Sequence, residues 1–365
     1  MATLTTIHGG KREKVAVLLN ANAKSVNEKL RTEIARFIPE QDVYYSRTLG
    51  EARAIAHQVI DRGYTTLLTG GGDGTFVGFV NEVLRHVGDD APPETQVGRG
   101  GVVLRLRPQP KSAPRFGVLR LGTGNALAGM VGASPDTVGV VEDILRVRSG
   151  DVGASQSLYL LDAEGKRAPF AGLGVDAKVL NDYVAVKNTL GRTPFKALGH
   201  GLPGYLIAAA TMSVPAVTLG LKAKVTIVNE GGEAAQLGPD GREVGRPFGK
   251  GEVLYEGPAR FVGAGTVPFY GFGFTIFPHA LRSPGRMHLR VSAMNVAQIV
   301  RNVPTLWKGG TPGTGMLDFH AERVRLRFDR PMPFQIGGDA EGYREEVVLG
   351  MDRRPLELID FRTRA

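Results

Sequence analysis

The chain has 365 residues, 42% of them hydrophobic and 22% charged, which excludes extensive disorder and makes two domains the natural division. It has no cysteine, so disulfides and thiolate metal sites are excluded and a cytoplasmic address is permitted. A formal net charge of +9 favours anionic partners such as nucleotides, nucleic acid or acidic headgroups, although a solvated basic surface explains it at least as well.

Met1–Lys14 lacks the apolar core of a signal peptide. Val15–Leu19 is a short apolar run, the pattern of a buried parallel strand. Ser25, with Glu28 three residues on, forms a capping box that opens a helix carrying Val26, Leu30, Ile34 and Phe37 on one face. Asp42–Ser46 reads as a second strand. Glu51–Arg62 reads as a second helix, with Ile55, Val59 and Ile60 inward and Gly63 as its stop. Thr65–Thr69 is a third strand running into Gly70-Gly71-Gly72-Asp73-Gly74-Thr75, ahead of a helix over Phe76–His86.

Residues 88–115 break the alternation with five prolines and a basic cluster that includes Arg99, Arg105, Arg107 and Lys111. They read as an inserted loop with a hairpin at Gly101–Arg107. Phe116–Leu121 restores a strand, Gly122-Thr123-Gly124-Asn125 leads into another helix, and Ser134-Pro135 starts the helix through Arg148. Strand–helix alternation of this kind implies a parallel sheet covered on both faces.

Beyond Gly150 the segments Ser157–Leu161, Val225–Val228, Gly251–Tyr255, Phe272–Phe277, Met287–Val291, Arg323–Phe328 and Val347–Leu349 are short, many alternate, and Gly/Pro turns separate them. That texture predicts a sandwich or barrel. One helical patch, Phe195–Met212, interrupts it. The most apolar stretch, Leu198–Leu221, is broken by Pro203 and Pro215, so a soluble protein is expected.

Three loops fall at the carboxyl ends of strands in the first part, where open α/β sheets bind ligands. Gly70–Thr75 is the most informative: three glycines bare the backbone N–H groups, and the following helix aims its positive end at the same spot. Asp73 inside that loop suits Mg²⁺ or a substrate hydroxyl; a tight turn with Asp73 as a helix cap is the plainer reading. Gly122–Asn125 and Asn20–Lys24 are weak signals alone, and their value is their shared edge. Gly337-Gly338-Asp339-Ala340-Glu341-Gly342 places two carboxylates two apart, suited to accepting a hydroxyl proton and holding Mg²⁺ if the turn faces that edge. An ordinary acidic hairpin turn fits the same residues. No P-loop or dinucleotide fingerprint occurs, and the seven histidines are scattered and read as surface or satisfied core residues.

In order along nearly the whole chain, these residues resemble the diacylglycerol kinase catalytic family, which includes sphingosine, ceramide and bacterial lipid kinases. Leu19-Asn20-Ala21-Asn22-Ala23-Lys24 is similar to the opening strand and Asn-Pro loop, with Ala21 in place of proline. Thr48 matches a nucleotide-contacting threonine. Gly71–Thr75 is similar to a signature shared with the NAD kinases, and Leu121–Asn125 to the family's second signature. Gly172-Leu173-Gly174-Val175-Asp176-Ala177 matches a Gly-x-Gly-x-Asp-Ala segment, and Asp339-Ala340-Glu341 stands where the family has Asp-Gly-Glu.

The resemblance implies a Rossmann-like nucleotide-binding α/β domain over 1–150, with the basic insert 88–115, followed by a β-sandwich lipid-substrate domain over 151–365 whose extreme C-terminus is free to return to the first. It implies ATP and Mg²⁺ as cofactors and the hydroxyl of a diacylglycerol- or sphingoid-type lipid as acceptor. It assigns nucleotide contacts to Asn20, Asn22, Lys24, Thr48, Gly70, Gly71, Gly72, Asp73, Gly74, Thr75, Gly122, Thr123, Gly124 and Asn125, and a substrate contact to Asp176. Asp339 or Glu341 is the implied base, with Asp73 able to exchange roles, and Asp73 and Glu341 are the implied Mg²⁺ ligands. Arg282–Arg286 holds no acid where bacterial members place a ligand to a structural Mg²⁺. The expected protein is cytoplasmic, meets an anionic membrane peripherally and binds no nucleic acid. A NAD kinase-like kinase of a soluble molecule and a non-catalytic nucleotide- or lipid-binding protein remain alternatives.

Overall fold

The computed structural model describes residues 14–23, 25–87, 94–97, 103–106, 113–122, 125–151, 155–175, 177–178, 223–270, 274–312, 315–352 and 354–363. The helical patch expected at Phe195–Met212 and most of the basic insert lie outside them. The chain divides into two compact units, one of Met1–Gly122, Ala128–Gln156 and Glu357–Ala365, the other of Thr123–Leu127 and Ser157–Leu356.

The first unit runs β1 (Val15–Asn20), α1 (Glu28–Phe37), β2 (Val43–Ser46), α2 (Leu49–Asp61), β3 (Thr66–Gly71), α3 (Asp73–His86), β4 (Glu94–Val97), β5 (Val103–Leu106), β6 (Arg115–Arg120), α4 (Ala126–Met130), α5 (Thr137–Ser149) and β7 (Ser155–Leu158). β1 pairs in parallel with β2 and β3, and β3 with β6. β3 is buried at every position, as befits a strand with helices on both faces. β4 and β5 form an antiparallel pair, so the segment expected as a hairpin at Gly101–Arg107 supplies only its second strand.

Two helix starts differ from expectation for one reason. A short acceptor side chain nearer the helix wins the cap: Asn27 rather than Ser25 accepts the Leu30 N–H, and Asp136 rather than Ser134 accepts the N–H groups of Val138 and Gly139. Leu30 and Ile34 are buried as expected, but Phe37, the last residue of α1, is 56% exposed. α2 begins at Leu49, capped by Thr48.

The second unit continues with β8 (Leu161–Ala163), β9 (Lys166–Ala168), β10 (Phe170–Gly174), β11 (Ala223–Asn229), β12 (Ala234–Leu237), β13 (Glu243–Phe248), β14 (Val253–Ala259), β15 (Phe261–Gly265), β16 (Met287–Ser292), α6 (Val296–Trp307), β17 (Met316–Ala321), β18 (Arg323–Ile336) and β19 (Asp339–Met351). Among the described residues the strands of this unit form one antiparallel sheet of twelve. The long strand β18 joins its parts: Val324–Phe328 pairs with β11, and Phe334–Ile336 pairs with β10. Its pairing with β19 shifts register between Arg327 and Met332, where Pro331 and Pro333 remove ladder donors.

Two local expectations fail here. The segment predicted as a strand at Phe272–Phe277 is irregular over its described part, with Phe274 and Phe277 anchored by ring contacts to Trp307 and Tyr270. The single predicted strand Ser157–Leu161 divides between β7 and β8. A final strand, β20 (Leu356–Ile359), lies parallel to β6, with Leu358 opposite Phe116, giving the first sheet the order β2-β1-β3-β6-β20-β7. Arg146 of α5 holds this tail by donating to the carbonyls of Phe361 and Thr363 at 3.1 and 3.0 Å.

Histidines prove less scattered than the sequence suggests. The β16–β17 register sets His288 opposite His320 and Arg290 opposite Asp318. All four are buried, and His279 lies beside them at 6% exposure. Arg290 donates to both Asp318 carboxylate oxygens, at 2.6 and 2.8 Å. His288 Nε2 lies 3.1 Å from Asp318 Oδ1 without the geometry of a hydrogen bond. Burial pushes His279 down to about 4 and lowers His288 and His320 as well.

Candidate active site

In the first unit the loops expected to bind nucleotide meet at the carboxyl edge of the sheet, and their own hydrogen bonds hold them there. The Asn20 amide donates to Thr75 Oγ1 at 3.1 Å, tying the end of β1 to the first turn of α3. The Asn22 backbone N–H returns to Asn20 Oδ1 at 2.9 Å, and its amide donates to the Arg47 carbonyl. The Ala21 N–H donates to the Ser46 carbonyl at 2.8 Å, a bond that a proline at this position has no hydrogen to make. Thr48 Oγ1 accepts the Glu51 N–H at 3.1 Å, which leaves its own hydroxyl hydrogen as a donor.

The glycine run is shorter as a loop than the sequence implies. Gly70 and Gly71 belong to β3, Gly72 caps α3, and the helix begins at Asp73 rather than Phe76. A glycine cap has no side chain to satisfy the first turn of the helix, and Asp73 and Gly74 stand in that turn. A Cβ on Gly74 meets nothing within 4 Å, so the space beside it is open.

Gly122 has a different reason to be glycine. A Cβ there falls 2.2 Å from Gly72 Cα, backbone against backbone, so the two glycine motifs pack directly on one another. Gly122→Ala is therefore expected to destabilise the first unit by about 1–3 kcal/mol, whereas Gly74→Ala leaves thermal unfolding unchanged. Matched denaturation curves check both, and equal midpoints for the two variants refute the packing assignment. Asn125 follows at φ 49°, the left-handed region that asparagine tolerates. Lys24, Thr123, Gly124 and Asp176 lie outside the described residues.

A cavity of about 530 Å³ opens at this edge between the starts of α1 and α5, lined by Asn27, Lys29, Leu121, Asp136 and Val138 among others. Its size suits a nucleotide-sized ligand.

In the second unit, Asp339 and Glu341 stand on the first turn of β19 after a two-residue hairpin. Ile336 pairs with Asp339, and Gly337 and Gly338 take φ of 60° and 90°, the left-handed pair a type I′ turn requires. Conformational freedom is thus needed at 337, 338 and 342, while Ala340 pairs with Gln335 as an ordinary strand residue. Replacing the family's central glycine by alanine therefore costs the turn nothing.

The two carboxylates converge on one cation. Lys166 Nζ, from β9, lies 2.9 Å from Asp339 Oδ2 and 2.8 Å from Glu341 Oε1. Burial works against the Lys166 charge, but its bonds to Glu341 and Asp339 outweigh it and hold the ammonium above the usual lysine range. Nothing in the sequence singled out Lys166, because its partners stand at the far end of the chain. Glu341, an implied Mg²⁺ ligand, thus shares an ion pair with Lys166, and among the described residues no group of three or more acidic or histidine side chains is gathered as for a metal ion.

Residues 14–155 match the family model for the diacylglycerol kinase catalytic domain. Over these residues the chain is similar to the diacylglycerol kinase catalytic domain. The matched segment contains β1 to β6 and both glycine motifs. Three solved structures of proteins from Bacillus anthracis str. Sterne, assigned as diacylglycerol kinases, are similar over 96% of this chain and 98% of theirs. Their identities are 16%, 16% and 13%, with TM-scores of 0.58, 0.61 and 0.55. At such identities the likeness establishes the fold, an α/β unit followed by an antiparallel β unit, and not the substrate. No curated protein matches the sequence. Kinase-type catalysis is what the diacylglycerol kinase domain supports; the acceptor is a separate question.

Proposed function

We propose that the protein is an ATP-dependent kinase that phosphorylates the hydroxyl of a diacylglycerol- or sphingoid-type lipid. The observation that carries this reading is the uncapped start of α3, open beside Gly74 and braced by Gly122, inside the segment that matches the diacylglycerol kinase catalytic domain. The α3 end suits phosphate oxygens, which its dipole and first-turn N–H groups favour. The neighbouring cavity suits the rest of ATP.

Asp73, in the same first turn, is the residue fitted to hold Mg²⁺. The metal, when bound, neutralises phosphate charge as the phosphoryl group passes to the acceptor. On the acceptor side, Asp339 or Glu341 takes the hydroxyl proton, and Lys166 fixes the rotamers of both carboxylates. Phosphoryl transfer depends on such positioning more than on covalent help.

Transfer of labelled γ-phosphate from ATP to lipids in neutral mixed micelles, with NAD included, tests the reading. A labelled lipid supports it. Labelled NAD alone, or ATP binding without any product, overturns it. Lys166→Met is expected to lower kcat by up to about a hundredfold with KM for ATP unchanged, and Lys166→Arg to recover part of the loss. An equal fall in both variants together with a raised KM for ATP counts against the positioning role.

A further inference from the structure

α6 was not anticipated from the sequence, and it presents an apolar edge to solvent. Its inward face is accounted for: Leu306 is buried with Met294 and Met316, and Ile299 and Phe274 pack on the same cluster. Val303 and Trp307, one helical turn apart and so on one face, remain 42% and 40% exposed. Pro304 between them is exposed too. Trp307 is half anchored, its ring centroid 5.6 Å from that of Phe274. Arg301 and Lys308, seven positions apart, lie together on the adjoining face beyond Pro304, both exposed, and neither has an ion-pair partner among the described residues.

An exposed stripe of valine, proline and tryptophan bordered by unpaired cations is the composition of a helix that lies in a membrane interface. There the indole ring sits at headgroup depth and cations meet anionic lipid. A second copy of the chain is a poorer occupant, because pairing two such faces brings four cations together without an acid. The overall charge of +9 acts in the same direction at longer range.

We infer that the Val303–Lys308 edge of α6 is a docking surface for an anionic lipid bilayer, through which the protein reaches a membrane-resident acceptor. This role rests on the lipid-acceptor reading for its purpose.

Trp307 is the only tryptophan in the chain, so the intact protein reports on this edge without alteration. Titration with vesicles of phosphatidylcholine mixed with phosphatidylglycerol is expected to shift its emission to shorter wavelength, and pure phosphatidylcholine vesicles to leave it in place. Arg301→Glu with Lys308→Glu, both exposed and harmless to the core, is expected to weaken binding by roughly fivefold or more per cation. Trp307→Phe should fold normally and bind more weakly in co-sedimentation.

Two results overturn the inference. They are unshifted emission on anionic vesicles, whether or not the protein sediments with them, and an emission shift that follows protein concentration without lipid, which marks self-association. Transfer to micellar lipid is measured in parallel. An emission shift without any lipid product leaves the docking surface standing and removes the kinase reading. Micellar transfer without an emission shift does the reverse.

Discussion

Asp339→Asn and Glu341→Gln variants are expected to lose phosphoryl transfer to lipid by about two to four orders of magnitude for whichever carboxylate is the base, while ATP binding stays at the wild-type level. The separation follows from where the residues stand. The carboxylates belong to the β18–β19 hairpin of the second unit, whereas the proposed phosphate contacts belong to the first. Each substitution is isosteric and leaves Lys166 with one remaining carboxylate, so no charge is stranded. The ion pairs themselves are partly solvated, with Asp339 61% exposed on its side chain, and contribute no more than about 1 kcal/mol to stability. A loss of activity in these variants is therefore a loss of chemistry. The variant with the larger fall in kcat names the base. Retention of full kcat by both would remove the hairpin from the mechanism.

Asp318→Asn is expected to give the largest loss of stability in the second unit, about 3–5 kcal/mol, because it strands the buried Arg290 guanidinium. Arg290 is wholly buried, and Asp318 accepts two of its hydrogen bonds. Removing the carboxylate leaves a cation beside three histidines with nothing of opposite sign in contact. The same cluster dictates a pH dependence. His279 takes up a proton at its ordinary value of 6.5 when unfolded but only at about 4 when folded. Between those values the unfolded chain binds the proton and the folded one does not. Stability is therefore fully present above pH 6.5 and falls as the pH drops towards 4, with His288 and His320 adding in the same direction. Denaturant unfolding across that window checks the sign. A variant as stable as the parent, or stability that rises on acidification, would contradict the burial argument.

The parallel unit was legible because β1 is a continuous apolar run, strands and helices alternate, and the glycine motifs stand where strands end. The errors there are errors of capping. Ser25 and Ser134 satisfy the same local rule as Asn27 and Asp136, and only the path of the chain decides between them. The β-rich unit was legible as a texture and not as a topology. His288 with His320, or Lys166 with Asp339 and Glu341, come together through pairings between strands far apart in sequence. No spacing rule reaches that far. α6 is a different case: Asn295 and Gln298 form a capping box that is plain in the sequence, but the helix after it is rich in valine and stands among strand-like segments. Local propensity hid a signal that was present.

The place of β20 bears on how the molecule is made. The first sheet needs Leu356–Ile359 beside β6, and Phe361 and Ile359 lie against Gly117 at the centre of that strand. Those residues leave the ribosome only after the entire β-rich unit has been synthesised. The sheet edge that carries the two glycine motifs is encoded almost wholly before residue 126, and one flank of β6 stays unpaired until the tail arrives. The β-rich unit is thus free to fold first although it is translated second, and the first sheet is complete only when its two distant segments close on each other.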